Sequence, residues 1–299
     1  MNPTRGISIM ISAITLFVIM SSFIKAVDTV PAGQAVFFRS ICAMPIILAW
    51  LWFQGDLRDG LKTINWKGHA TRALAGTMAM GLGFAGLKLL PLPEVTALRF
   101  ATPILLVVFA ALFLGERFRL IRMSAVIVGL VGVLIIMWPR LSFEGGSRET
   151  LGVAMVLGSA ALAALAQIFI KKMAGVEKTS AIVFWFSATA TVLSLLTLPF
   201  GWVWPDTREL TLLVGAGLFG GCGQLLLTSS YRFADAGVLA PFTYVSMIWA
   251  LLIGYFVFAE VPTVPMLLGA ALIIAAGGVI VWRERQLKTP PPPRMGTNL

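Results

Sequence analysis

Residues 90–140, LPLPEVTALRFATPILLVVFAALFLGERFRLIRMSAVIVGLVGVLIIMWPR, return near the end of the chain as residues 234–285, ADAGVLAPFTYVSMIWALLIGYFVFAEVPTVPMLLGAALIIAAGGVIVWRER. Sliding one copy by 144 positions places Glu116 on Glu260. In each copy a short polar turn separates two apolar runs, and this pattern is typical of a helical hairpin. The sequence therefore predicts one helical hairpin that is used twice.

The composition indicates that these hairpins lie in a membrane. The chain is 58% hydrophobic and 12% charged, with a mean hydropathy of +0.91, whereas soluble domains carry about a quarter charged residues. A soluble helical protein would need charged outer faces, and residues 7–24 have none. Ten apolar runs of about 18 to 21 residues are each long enough to cross the hydrocarbon core. They are residues 6–25, 33–53, 72–90, 94–114, 121–138, 151–171, 180–200, 210–230, 237–258 and 264–282.

The basic residues predict how the chain is oriented. The net charge of +10 does not indicate a nucleic-acid-binding protein, because no basic stripe alternates with exposed aromatic residues. With a cytoplasmic amino terminus, the inner segments hold 16 Lys and Arg and the outer segments hold five. By the positive-inside rule, both termini are expected on the cytoplasmic side. The expected location of the protein is the cell inner membrane. Residues 289–299 are predicted to form a disordered cytoplasmic tail.

The repeat extends to the first helices of each half. At an offset of 146, Gly6 falls on Gly152 and Phe38 on Phe184, so residues 1–145 and residues 146–288 each form a five-helix unit. An odd number of crossings makes the second unit insert upside down. The expected fold is therefore an all-α integral membrane protein with ten transmembrane helices in two inverted five-helix repeats. Inverted repeats are a device of secondary transporters, which bind their solute near the midplane of the membrane.

Small residues and prolines indicate which helices pack closely or bend. Four-residue spacings of small residues in runs three, six and eight are packing faces. Runs three and eight hold more glycine than packing needs, and prolines remove a hydrogen bond from runs four and nine. Simple close packing and tolerated kinks are the alternative explanation. The candidate hinge positions are Gly81, Gly83, Gly220, Gly221, Pro103 and Pro241.

Several motifs in the two repeated hairpins resemble those of a known family. Pro103 with the Gly115-Glu116 pair, the stretch from Ala240 to Glu260, and the LLGAALIIAAGGVIVW that follows are similar to the EamA-type branch of the drug/metabolite transporter superfamily. Within that branch the chain looks most similar to YddG-like exporters of aromatic and other neutral amino acids. It departs from the internal repeat where Met247 replaces the proline and Ala259 replaces the glycine before glutamate.

The resemblance implies a central cavity lined by runs 1, 3, 4, 6, 8 and 9, with runs 5 and 10 outside. An aromatic amino acid needs an apolar slot for its ring and polar groups for its two charges. Any single aromatic residue in a membrane helix more often packs or faces lipid. The expected substrate-binding residues besides Arg99 are Met78, Phe84, Thr77, Gln167, Gln224, Thr243, Tyr244 and Trp249.

The basic residues within helices are more informative. Arg39 and Arg99 each lie about six residues inside a run, roughly 8 Å deep, so each either snorkels outward or points inward. Arg99 lies on a run expected to line the cavity and is predicted to bind the substrate carboxylate, whereas Arg39 is predicted to be a snorkelling anchor. Lys25 and Lys171 occupy equivalent positions of the two units and are gate or anchor candidates.

The remaining polar residues argue against other functional classes. All thirteen acidic residues are expected in loops or at helix ends, and the one histidine, His69, in a solvated loop. Without an intramembrane carboxylate or histidine, we expect facilitated transport with no obligatory proton exchange, no enzymatic activity, no cofactor and no metal site. The expected partners are the lipid bilayer and a small-molecule substrate, with no nucleic acid. Export of hydrophobic drugs or of another small metabolite is the alternative.

Overall fold

The structure, a computed structural model, describes residues 3–57, 59–114, 120–141, 147–173, 177–230, 233, 242–243 and 245–288. In this part of the chain it contains α-helices, a short 3₁₀ helix at Leu198–Phe200 and no β-strand. The all-helical class is therefore confirmed. The helices are α1 Pro3–Lys25, α2 Ala32–Phe53, α3 Trp66–Leu89, α4 Leu92–Arg99, α5 Ala101–Leu114, α6 Leu120–Leu141, α7 Ser147–Met173, α8 Thr179–Leu195, α9 Thr207–Ser230, α10 Val245–Phe258 and α11 Val264–Lys288.

Each of the ten predicted runs contains a helix, and four of these helices are long and apolar enough by themselves to cross a membrane. Those four spans are Thr4–Lys25, Ala32–Phe53, Arg148–Ile170 and Thr207–Leu227. Shorter apolar helical stretches are Ile127–Ile136, Ser180–Leu195, Val245–Phe258 and Val264–Ala276.

The start of α3 differs from the prediction. Run three was expected to begin at residue 72, but α3 begins at Trp66, where the Asn65 side chain caps it by accepting a hydrogen bond from Gly68 N at 2.9 Å. An Asn at the N-cap satisfies one of the first backbone N–H groups of a helix. The extra turns place His69 and Arg72 inside the helix, where both are buried. The expectation that His69 lies in a solvated loop is therefore wrong.

The fourth predicted run forms two helices instead of one. The first, α4, ends at Arg99, and α5 begins at Ala101. Pro103 lies two residues into α5, and a proline removes the hydrogen bond to the carbonyl four residues earlier, which is that of Arg99. The helix is therefore interrupted next to Arg99, the residue whose carbonyl loses its hydrogen bond because of Pro103. The interruption leaves Arg99 in the last turn of a short helix.

The helices of the two halves pack mainly against each other. The closest associations are α3 with α7, α1 with α9, and α6 with α11, followed by α2 with α9 and with α8, α5 with α7, and α3 with α8. Helix α10 packs on α4 and α1. By order along the chain, α1, α2 and α3 of the first half correspond to α7, α8 and α9 of the second. Exchanging each helix with its counterpart turns the pair α1–α9 into α7–α3 and the pair α2–α9 into α8–α3, and both resulting pairs are in contact. The pairing pattern is thus nearly unchanged by the exchange.

Helices α6 and α11 touch through their backbones. A Cβ added to Gly132 would lie 2.7 Å from the Gly269 carbonyl oxygen, and one added to Gly269 would lie 2.5 Å from the Gly132 carbonyl oxygen. Ile136 and Ile273 fill the space on either side. Small residues in membrane helices permit this close approach. The α6–α11 pair joins the two halves of the chain.

Candidate functional site

The side chain of Arg99 carries a guanidinium for which the described part of the chain provides no anionic partner. It is partly buried, and no residue in the described part of the chain forms a hydrogen bond or ion pair with it. A Cβ added to Gly83 of α3 would lie 2.5 Å from Arg99 Nη2 and 2.9 Å from Ser159 Oγ of α7. The glycine thus leaves room for the guanidinium beside the seam between α3 and α7. Because an unpaired charge at this depth is costly, such a residue usually marks a functional site.

Arg39 of α2 points into the protein. It is 5% exposed, and its Nε has no hydrogen-bond partner. Its guanidinium carbon lies 5.8 Å from the ring centroid of Phe186 on α8, and a Cβ added to Gly220 of α9 would lie 3.3 Å from its Nε. A snorkelling side chain would be largely exposed at the end of its helix. The prediction that Arg39 is a snorkelling anchor is therefore wrong.

Arg72 of α3 faces the same aromatic ring. It is 8% exposed, its Nε and one Nη lack hydrogen-bond partners, and its guanidinium carbon lies 3.5 Å from the Phe186 centroid. Sequence reasoning missed this residue because Arg72 was assigned to the edge of a loop. A signal was present in the glycine four residues later, since Gly76 gives Arg72 and Phe186 their space.

The predicted apolar slot is only partly assembled. Phe84 is buried in the main core at 2% exposure, where it presents no face to a solute in this conformation. Thr77, seven residues before Phe84 on α3, has a buried hydroxyl oxygen that forms no hydrogen bond. Met78 is 51% exposed, and Trp249 is 36% exposed.

The other predicted polar groups are dispersed. Gln167 is exposed and Gln224 is half-buried, and the carbonyl oxygen of the half-buried Thr243 accepts a hydrogen bond from Ser246 at 2.7 Å. Tyr244 and Pro241 lie outside the described residues, and the side chains of Pro103 and Lys171 are likewise not described. In the described part of the chain, no hydrogen bond joins Gln167, Gln224 or Thr243 to Arg99.

The candidate hinge glycines have different surroundings. Gly81 has open space around it, whereas a Cβ on Gly220 or Gly221 would lie within 3.4 Å of a neighbouring helix. Gly220 approaches Met20 of α1, and Gly221 approaches Ala43 of α2. These two glycines hold α9 close to α1 and α2. Their role as hinges stays a prediction.

Lys25 forms a cluster with three other segments. Its Nζ lies 2.8 Å from Glu260 Oε1 and donates to the carbonyl oxygens of Leu87 at 3.2 Å and Leu90 at 2.8 Å. Glu260 Oε2 accepts a hydrogen bond from Leu92 N at 2.8 Å. The cluster joins the end of α1, the end of α3, the start of α4 and the segment after α10. Such a cross-link is suited to a gate.

Glu177, in the loop after α7, ties that loop to the start of α3. Its Oε1 accepts hydrogen bonds from Thr63 Oγ1 at 2.8 Å, Ile64 N at 2.8 Å and Asn65 N at 2.7 Å, and its Oε2 lies 3.5 Å from His69 Nε2. Burial raises the pKa of Glu177, but the hydrogen bonds from Asn65, Ile64 and Thr63, together with the nearby His69 ring, outweigh it and hold the pKa below its ordinary value. This clamp fixes the end of α3 that precedes Arg72.

A groove of about 340 Å³ lies between α6 and α11. Its lining is almost wholly apolar and offers no charged group to a polar solute, so it is unlike the arginine sites. The lining includes Val131, Leu134 and Trp138 of α6 and Val264, Pro265 and Leu268 of α11.

Comparison with protein families gives the class of the chain. The model described as the EamA-like transporter family matches residues 4–138 and, a second time, residues 150–282. The chain belongs to the EamA-like transporter family. This membership confirms the broader resemblance seen in the sequence and makes the protein a multi-pass membrane transporter, not an enzyme.

Several curated relatives of this EamA-like transporter cover most of its length. It is 29% identical over 275 residues to the pseudopaline exporter CntI of Pseudomonas aeruginosa, covering 91% of this chain and 94% of that protein. It is 27% identical over 253 residues to an S-adenosylmethionine uptake transporter of Rickettsia felis, covering 85% and 84%. It is 28% identical over 286 residues to a riboflavin transporter of Rhizobium johnstonii, covering 93% and 90%.

A solved crystal structure has the same fold as this EamA-like transporter. The two superpose with a TM-score of 0.68 at 20% sequence identity, over 96% of this chain and 99% of the other. The named solutes of the three relatives differ from one another, and none is an aromatic amino acid. The comparisons therefore support the family and do not specifically support the narrower resemblance to YddG-like exporters.

Proposed function

We propose that this EamA-like transporter exports amino acids, or solutes that carry an α-amino-acid group, and that Arg99 binds their carboxylate. The unpaired Arg99 guanidinium beside Gly83 is the observation that carries the proposal. A guanidinium binds a carboxylate through two parallel hydrogen bonds, which fix both position and orientation. No carboxylate of the described residues occupies that role.

The named solute of one relative is compatible with such a substrate. S-adenosylmethionine, named for the Rickettsia relative, is an amino-acid derivative with a free α-carboxylate. A solute of this kind needs one fixed cation and an otherwise adaptable site, because its side chain varies. The cation is present in Arg99, and the dispersed polar residues of the interior leave the remainder of the site uncommitted.

Transport by alternating access between two inverted halves is part of the proposal. The near-unchanged packing pattern on exchange of α1–α6 with α7–α11 supports it, as do the two separate matches to one family model. We place the chain in the bacterial inner membrane with both termini cytoplasmic, residues 1–145 and 146–288 as the two units, and no obligatory coupling to protons.

The test compares a free amino acid with its amide. Purified protein in liposomes is assayed for binding of L-phenylalanine and L-phenylalaninamide by competition against a labelled amino acid. Arg99→Gln should weaken binding of the acid by about tenfold or more, since a hydrogen bond to a charged group contributes roughly 1.5–3 kcal/mol, and should leave the amide nearly unchanged. The matched control is Arg5→Gln, which removes the same charge near the start of α1, where Arg5 packs on Phe233 at 4.6 Å.

Two results would contradict the proposal. An equal loss for acid and amide would make Arg99 structural. Failure of the unaltered protein to bind any α-amino acid, together with binding of riboflavin or a hydrophobic cation, would replace the amino-acid class with another solute class.

A further inference from the structure

We infer that Arg39 and Arg72 form a second anion-binding site, at Phe186, which takes a second carboxylate of the transported solute. The inference rests on the proposed function and narrows it, because it makes extended amino acids with a distal carboxylate better substrates than neutral amino acids. The juxtaposition behind it is two buried guanidinium groups on the neighbouring helices α2 and α3, both turned to one aromatic ring.

The two arginines approach the ring from different helices. Their guanidinium carbons lie 5.8 Å and 3.5 Å from the Phe186 centroid, so the distance between them cannot exceed the sum of those two values. Both side chains are more than nine-tenths buried. Three of their nitrogens, Arg39 Nε, Arg72 Nε and one Arg72 Nη, have no hydrogen-bond partner.

Nothing in the described part of the chain neutralises this pair. Neither arginine forms an ion pair or hydrogen bond with a described carboxylate. A buried charge without a partner costs several kcal/mol, and two like charges at this separation add mutual repulsion. The face of one aromatic ring, shared by two cations, offsets only part of that cost. An anion placed between them would satisfy the free N–H groups and remove the repulsion.

The backbone around the pair leaves the guanidinium groups their space. A Cβ on Gly76 of α3 would lie 2.7 Å from an Arg72 Nη and 2.8 Å from the Phe186 ring. A Cβ on Gly220 of α9 would lie 3.3 Å from Arg39 Nε. Each arginine is thus seated against a glycine, Arg72 against one on α3 and Arg39 against one on α9.

The spacing along α3 connects this site to Arg99. The side chain of Arg72 lies against Gly76 of its own helix, α3, and the side chain of Arg99 lies against Gly83 of the same helix. Seven residues are two helical turns, so both contacts lie on one side of α3, about 10 Å apart along its axis. A linear amino acid with a carboxylate at each end of an eight-carbon chain spans a comparable length. One carboxylate can then bind Arg99 while the other binds the Arg39–Arg72 pair.

The experiment uses two probes that differ in one group. 2-Aminooctanedioate carries the distal carboxylate, and 2-aminooctanoate has a methyl group in its place. Dissociation constants for both are measured on the full chain in liposomes, for the unaltered protein and for the Arg39→Gln, Arg72→Gln, Arg99→Gln and Arg5→Gln variants. The ratio of the two constants on one sample is independent of the fraction of protein that is folded.

We expect the unaltered protein and Arg5→Gln to bind the dicarboxylate at least about tenfold more tightly than the monocarboxylate. Arg39→Gln and Arg72→Gln should abolish that preference while changing monocarboxylate binding less than about twofold. Arg99→Gln should weaken both probes. The Arg39→Lys and Arg72→Lys variants keep the charge but lose the planar fork, and they should retain only part of the preference.

Several outcomes would overturn the inference without touching Arg99. They are equal affinity of the unaltered protein for the two probes, an unchanged ratio in both glutamine variants, or displacement by inorganic phosphate with no preference for the dicarboxylate, which would make the pair a counter-ion site. Failure of Arg99→Gln to weaken either probe contradicts the proposed function instead.

Discussion

Removing the negative charge of Glu260 should loosen the cluster around Lys25. In Glu260→Gln the amide oxygen can still accept the hydrogen bond from Leu92 N, but the ion pair with Lys25 is lost. The lysine then keeps the carbonyl oxygens of Leu87 and Leu90, and the ring of Phe258 at 5.5 Å. Both charged side chains are only 13–14% exposed, so water compensates little.

The magnitude follows from these contacts. Breaking a fully buried ion pair costs about 3–5 kcal/mol, and a hydrogen bond to a charged group contributes roughly 1.5–3 kcal/mol. Because Lys25 retains two acceptors, we expect Glu260→Gln to lower the free energy of unfolding by about 2 kcal/mol. If the cluster closes one side of the transporter, the same change should increase the population of the open state by up to about thirtyfold.

The assay is a double-mutant cycle. Lys25→Met, Glu260→Gln and the double variant are purified in one detergent, and their free energies of unfolding are measured by titration with a denaturing detergent. Accessibility of a cysteine placed near Leu90 reports the open population. The matched control is the exposed Lys178–Asp56 pair, at 3.0 Å, where Lys178→Met and Asp56→Asn should show a coupling energy below about 1 kcal/mol.

We expect a coupling energy of about 2 kcal/mol between Lys25 and Glu260. Additive effects within about 0.5 kcal/mol would refute it, since independent sites add within that margin. Additivity would mean that Lys25 finds equivalent partners in its carbonyl acceptors.

Three further predictions concern other parts of the chain. Because the pKa of Glu177 is held below its ordinary value near 4.5, its contribution to stability should be complete above that pH and be lost as the pH falls further; Glu177→Gln should flatten this acid limb in thermal unfolding curves, and an unchanged limb would contradict the clamp. Gly83→Ala should displace the Arg99 guanidinium and weaken amino-acid binding by about tenfold, with about 1–2 kcal/mol of lost stability, because the buried Ser159 hydroxyl must move as well. Reporter fusions should read cytoplasmic at Asp59 and outside at Gly145, and a cytoplasmic signal at Gly145 would remove the inverted-repeat argument.

Hydropathy was sufficient to place the helices, because the cost of exposing a polar backbone to lipid forces each long apolar run into a helix. It was insufficient at polar helix ends. The first turns of α3 contain His69 and Arg72, which lower the local hydropathy. The predicted start of this helix, residue 72, therefore lies after its observed start at Trp66. Their burial depends on Glu177 and Phe186, more than 100 residues away in the sequence, and no local pattern reports such partners.

The inward orientation of Arg39 has the same origin. The sequence shows how far Arg39 lies from the end of its helix, but not the direction of its side chain. An arginine six residues from a helix end can extend outward to the membrane surface or inward into the protein. The direction of Arg39 follows from Gly220 and Phe186 on other helices. Arg99 was identified because it lies on a run expected to line the cavity, but only the three-dimensional arrangement shows that no described residue pairs with it.

The contact between Gly132 and Gly269 limits how the two halves can shift relative to each other. Each backbone meets the carbonyl group of the other without an intervening side chain. Sliding α6 along α11 would drive a neighbouring side chain, such as Ile136 or Ile273, into that crossing point. Turning about the crossing would not. In the proposed alternating-access cycle the crossing would act as a pivot, and the displacement of any point on α6 or α11 should grow in proportion to its distance from Gly132 and Gly269.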